Sequence, residues 1–187
     1  MDREEALKII EENVSNKNII KHMLATEAVM RALAEKLEPE SVDEWGIAGL
    51  LHDGDYSEKV PVSEQGVQIS KWVEEKGFVL SDEVKHAMAA HNCSNTKIMP
   101  ESKMDWSLFC CDSLTGLITA CALVLPEKKL ADVTVERVLK RFKEPKFAAG
   151  TRRDEIQMCE KQLGLTLEEF VKISLEAMQK IAPELGL

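Results

Sequence analysis

Apolar residues recur at helical spacing along almost the whole chain. Ile19, His22, Met23, Thr26, Met30, Leu33 and Leu37 form one stripe on a helix predicted from about Asn16 to Leu37. Asp2 with Glu5, Ser41 with Glu44, and Thr166 with Glu169 have the spacing of capping boxes. They open helices to about Glu12, Leu51 and Ile181. Ser63 begins a helix to about Lys76, closed by Gly77, and Ser81 begins one to about His91. A polar loop, Asn92 to Pro100, precedes a long apolar helix from Lys103 to Leu125, ended by Pro126. Shorter helices follow from about Thr134 to Lys143 and from a Thr151 cap to Leu163. No segment alternates polar and apolar residues long enough to read as a strand. The expected fold is an all-α bundle with additional C-terminal helices, in one domain of 187 residues.

Composition changes this picture little. Aromatic residues make up 5% of the chain, which favours helices over a β-sandwich. The net charge of −9, with no long basic run, argues against polymeric nucleic acid as a partner and leaves a small phosphorylated ligand open. Five cysteines, an odd number without a C-x-x-C pair, read as reduced core thiols of a cytoplasmic protein. The charged N-terminus lacks a signal-peptide core, and the apolar run Leu114 to Leu125 is too short to span a bilayer. The amphipathic C-terminal helix allows a homodimer.

The candidate chemistry lies with four histidines and two aspartates. His22 points inward with its stripe and needs a partner for each ring nitrogen. His52 and Asp53 end an apolar helix, where the backbone can relax enough for both side chains to reach one ion. With Val84 as reference at ~100° per residue, Ala87, Met88 and His91 share an inward face, whereas His86 faces water. Asp112 interrupts an otherwise apolar helix, so it must be paired, protonated or metal-bound. Each has a plainer reading, as a backbone-satisfied core histidine or an ion-paired aspartate. Together they make a mixed nitrogen and oxygen donor set on four helices, suited to Mn, Fe, Co, Ni or Zn and less well to Mg.

The order His22, His52-Asp53, His91, Asp112, in the stretches WGIAGLLHDGDY, HAMAAHN and CCDSLTGLI, resembles the HD-domain superfamily of metal-dependent phosphohydrolases. It reads closest to small stand-alone prokaryotic members. The resemblance implies a helical bundle around a divalent cation, hydrolysing a phosphate ester, often of a nucleotide, with a metal-activated water. It assigns the cation to His22, His52, Asp53 and Asp112. His91, with His86, would approach substrate or complete a second metal site. Some family members place an acid three positions after the His-Asp pair; here that position is Tyr56 and the nearest acid is Asp55. Asp53 or Asp55 would then orient the water, and His91 would donate to the phosphoryl group or leaving group. Lys21, Asn92, Arg152 and Arg153, with Lys85, are the candidate phosphate contacts, the two arginines at the N-terminus of a helix. A non-catalytic sensor that binds nucleotide and metal, and a purely structural helical protein, are the competing readings.

Overall fold

The computed structural model describes residues 1–187 as an all-helical assembly without a strand. The helices are α1 (Arg3–Asn13), α2 (Lys17–Leu37), α3 (Val42–Leu51), α4 (Gln68–Glu75), α5 (Asp82–His91), α6 (Cys93–Thr96), α7 (Lys103–Leu123), α8 (Val135–Phe142), α9 (Arg153–Leu163), α10 (Leu167–Lys180) and α11 (Ala182–Leu185). α7 is the central element. α2, α5, α8, α9 and α10 all pack on it, and α3 lies between α2 and α5. By length and composition α7 could cross a bilayer, more than the run Leu114 to Leu125 suggested. Yet 61% of its most apolar window is buried inside the protein, as in the core helix of a soluble bundle.

Local chemistry explains most boundaries. The capping boxes at Asp2/Glu5 and Thr166/Glu169 form as expected, and Ser102 with Asp105 forms another at the start of α7. The box at Ser41/Glu44 does not form: a single 3₁₀ turn, Pro39–Ser41, runs straight into α3, and Ser41 caps nothing with its side chain. The helix expected from Ser63 starts only at Gln68. Gly66, with φ +86°, breaks it, and a Cβ there would stand 2.3 Å from the Met88 carbonyl. The helix expected from Thr151 begins at Arg153, with Arg152 as the cap residue and no side-chain cap. The loop Asn92 to Pro100 contains the short helix α6.

Two features bring the site together. Gly49 of α3 faces the α2 backbone so closely that a Cβ would lie 2.9 Å from the Thr26 carbonyl oxygen and 3.0 Å from Glu27 Cα. The missing side chain lets α3 lie directly on α2, and His52 thereby reaches His22. The second is Arg153, whose guanidinium donates to the carbonyls of Phe142, Thr151, Arg141, Glu144 and Phe147. It staples the loop between α8 and α9, and Arg141 stacking on Phe147 at 4.5 Å adds to that order.

Candidate metal centre

His22 comes from α2, His52 and Asp53 from the end of α3, His91 from the end of α5, and Asp112 from the middle of α7. The backbone stays helical through His52 and turns only afterwards, where Gly54 N–H donates to the Leu51 carbonyl. The side chains converge. His22, His52 and Asp53 each place a donor atom within 4.8 Å of the others. Asp112 lies outside that tightest triad, yet its Oδ1 is 3.0 Å from His22 Nε2 and 3.9 Å from His52 Nε2. Asp53 Oδ2 is 3.7 Å and 3.6 Å from the same two nitrogens, and its Oδ1 is 3.5 Å from His91 Nε2. The His52 ring meets those of His22 and His91 edge-on.

The outer ring nitrogens fix the tautomers. His52 Nδ1 donates to the Gly49 carbonyl at 2.8 Å, and His91 Nδ1 donates to the Met88 carbonyl. Thr115 Oγ donates to the Asp112 carbonyl at 2.8 Å, so it accepts from His22 Nδ1 at 3.1 Å. Each imidazole therefore turns its Nε2 inward. His22 Nε2 and His52 Nε2 lie 3.2 Å apart, with two carboxylates alongside. Imidazole nitrogens and carboxylate oxygens gathered around one point are a donor set that fits a divalent cation.

Electrostatics around the cluster are strong. Burial holds the His52 imidazole down at about 4. Burial also pulls His22 and His91 down, but Asp112 and Asp53 outweigh it and raise both. Burial pushes Asp53 and Asp112 up, and the surrounding imidazoles reverse that, holding Asp53 at about 2 and Asp112 lower still.

The remaining candidates divide. Asp55 is buried, and its two oxygens accept the N–H groups of Gly66 and Ile69 at 2.9–3.0 Å. It therefore serves as the anchor of the turn into α4, contrary to its expected role as a base. Asn92 donates to the carbonyls of Val62 and Gln65 and accepts from Asn95, which leaves nothing of its amide for a phosphate. Arg153 is consumed by its five carbonyls and is no phosphate contact. Lys85 pairs with Glu74 at 2.6 Å. His86 is held 2.8 Å from Asp105 at the start of α7 and takes no place in the cluster, so a second metal site through it is not formed. Lys21 opens instead onto a cavity of about 390 Å³ on the outer side of His22, with Asn18, Thr119 and Gly186.

Arg152 does reach the centre. Its Nη2 donates to Asp112 Oδ2 at 2.7 Å and its Nε to Ser113 Oγ at 3.3 Å. Nε also lies 2.7 Å from Glu155 Oε2, an ion pair without a directed hydrogen bond, and Nη1 has no partner. Asp112 thus divides its oxygens, Oδ1 to the imidazoles and Oδ2 to the guanidinium. Arg152 also separates two cavities over the cluster. One, of about 140 Å³, lies over Asp53, His91 and Asp112. The other, of about 450 Å³, runs from His22 and Asp112 to the loop residues Ala148 to Thr151. Thr115 had a signal in the sequence, since it shares the Asp112 face one turn on. Gln65 and Glu155 carried none.

The HD domain family matches residues 19–117, just over half of the chain, from the third residue of α2 to beyond Asp112. No curated protein and no solved structure matches it. The chain belongs to the HD-domain family.

Proposed function

We propose that this HD-domain protein is a metal-dependent hydrolase of a phosphate ester, acting in the cytoplasm on a small nucleotide or another phosphorylated metabolite. The observation that carries the reading is the pair of inward-facing Nε2 atoms of His22 and His52, 3.2 Å apart between two carboxylates. His22, His52, Asp53 and Asp112 would hold the cation, with Mn, Fe, Co, Ni, Zn and Mg as the candidates. Bound there, a divalent cation supplies a water of lowered pKa and a Lewis acid for a phosphoryl oxygen. Asp53 is the carboxylate that would orient that water, since Asp55 is engaged. His91 faces the small cavity, and its imidazolium form, favoured by Asp53, would donate from Nε2 toward the phosphoryl group. Arg152 offers its unpartnered Nη1 to a phosphoryl oxygen while its other nitrogens stay on Asp112 and Ser113.

The test is a panel of phosphate esters with Mn, Co, Ni and Mg added singly. Turnover by the wild type, and the loss of both turnover and metal retention in a folded Asp112→Ala protein, are the expected results. Normal hydrolysis by a folded, metal-free Asp112→Ala protein ends the proposal.

The engagement of Asp55, with Tyr56 beyond it, favours one second reading, a nucleotide sensor on the same centre. Binding of esters and metal without turnover in the same panel would mark it.

A further inference from the structure

The small cavity over Asp53, His91 and Asp112 does not end at the cluster. Its walls Tyr56 and Gln65 are also walls of a groove of about 720 Å³, which runs between the 56–65 loop and the junction of α1 and α2. A phosphoryl group at the cluster would have its ester oxygen leading into this groove. The groove has a definite chemistry. Tyr56 and Val62 are more than half exposed to it, and Ile19 lies on the opposite wall. Asn13 donates one amide hydrogen to the Ile9 carbonyl and keeps its oxygen; Asn16 gives its oxygen to Asn18 N–H and keeps its NH₂. The charged side chains lining it are Glu58 and Lys59, which cancel formally. No cation is left over for a second phosphate.

The groove wall is also built in advance. Asn92 holds the Val62 and Gln65 carbonyls, and Asp55 holds the Gly66 and Ile69 amides. Two residues that sequence alone places in the chemistry instead fix the wall beside it.

The geometry points to this groove as the seat of the leaving group, which it selects as an uncharged, ring-bearing alcohol carrying a single phosphate. Tyr56 offers a flat face for the ring, and the free carboxamide groups of Asn13 and Asn16 offer hydrogen bonds to its polar edge. The inference rests on the proposed phosphoryl site. The groove is about as large as pockets that hold drug-sized ligands.

The test measures binding of two uncleavable probes, methylphosphonate and 2-naphthylmethylphosphonate, to the Mn-loaded protein by calorimetry. Turnover of 2-naphthyl phosphate is measured alongside. The wild type should bind the naphthyl probe at least about tenfold tighter, or about 1.4 kcal/mol. Tyr56→Ala should erase that advantage, so that the naphthyl probe binds no tighter than methylphosphonate, whereas Tyr56→Phe should keep it. Methylphosphonate binding without a naphthyl advantage in the wild type, or an advantage that survives in Tyr56→Ala, overturns the groove and leaves the centre standing. A naphthyl advantage without turnover supports the groove and sinks the hydrolase reading alone. No binding of either probe overturns both.

Discussion

His22 Nε2 and His52 Nε2 face each other across 3.2 Å, and both rings have their Nδ1 already engaged, one by Thr115 and the other by the Gly49 carbonyl. Neither ring can turn away without breaking a bond to its own surroundings. A cation held between the rings and the two carboxylates binds the folded chain alone, so metal should stabilise the fold. Adding Mn, Co, Ni or Zn at about a hundred times its Kd should contribute about 2.7 kcal/mol, a rise in Tm of roughly 5–10 °C for a chain of this size. His52→Ala should lose that response. A melt of the wild type that ignores all of these ions would count against the centre.

Thr115 works on the metal through His22. Thr115→Val keeps the shape and removes the oxygen that accepts from Nδ1. Metal affinity should fall about 10–100-fold, as for other partners of ligating histidines. Thr115→Ser should restore it, and the metal-free melting temperatures of the two variants should differ little. Equal metal affinity in all three proteins would show that the hydroxyl does not orient His22.

Gly49 sets the spacing of α2 and α3. In Gly49→Ala the new methyl meets main-chain atoms that cannot swing aside, unlike a side-chain tip. Destabilisation of about 1–3 kcal/mol in urea is expected, typical of overpacking. Metal affinity should fall with it, because His52 would move away from His22. Unchanged stability and affinity would mean that the helix contact is soft.

Glu155 gives a pH signature of a group that is not itself a ligand. Burial pushes its carboxyl up to about 7, with Asp112 and Asp154 adding and Arg152 and His91 opposing. A carboxyl whose folded pKa exceeds its unfolded value binds protons more tightly in the native state. Its cost to stability is therefore absent below about pH 4.5, grows as pH rises toward 7, and is constant above. Allowing for its partial solvent screening, that cost is on the order of 1 kcal/mol. Thermal melts of Glu155→Gln should match wild type near pH 4.5 and lie about 2–4 °C higher at pH 8. A variant less stable than wild type at pH 8 would show that the ion pair with Arg152 outweighs the desolvation.

The parts of the centre legible in the sequence are those fixed by helix periodicity. The stripe on α2 turns His22 inward, and a rotation of about 100° per residue separates His91 from His86. The break in the apolar pattern of α7 marks Asp112. Three of the misread residues have mainly backbone atoms as partners. Asp55, Asn92 and Arg153 look like free polar groups beside a site, but main-chain N–H and carbonyl groups of distant loops occupy them. Such demands leave no trace in residue types, because every residue carries the same peptide group. The start of α4 was missed for a related reason: Gly66 takes a left-handed conformation where the capping pattern pointed to continued helix.

The rim above the cluster carries one more consequence. Arg153 grips the stretch from Arg141 to Thr151 wholly through peptide oxygens. The identity of Ala149, exposed on that strap and lining the wider cavity beside Arg152, is thus decoupled from the strap's shape. Selection, or a designer, can rewrite that position to change what the cavity admits, while the guanidinium over Asp112 stays in register.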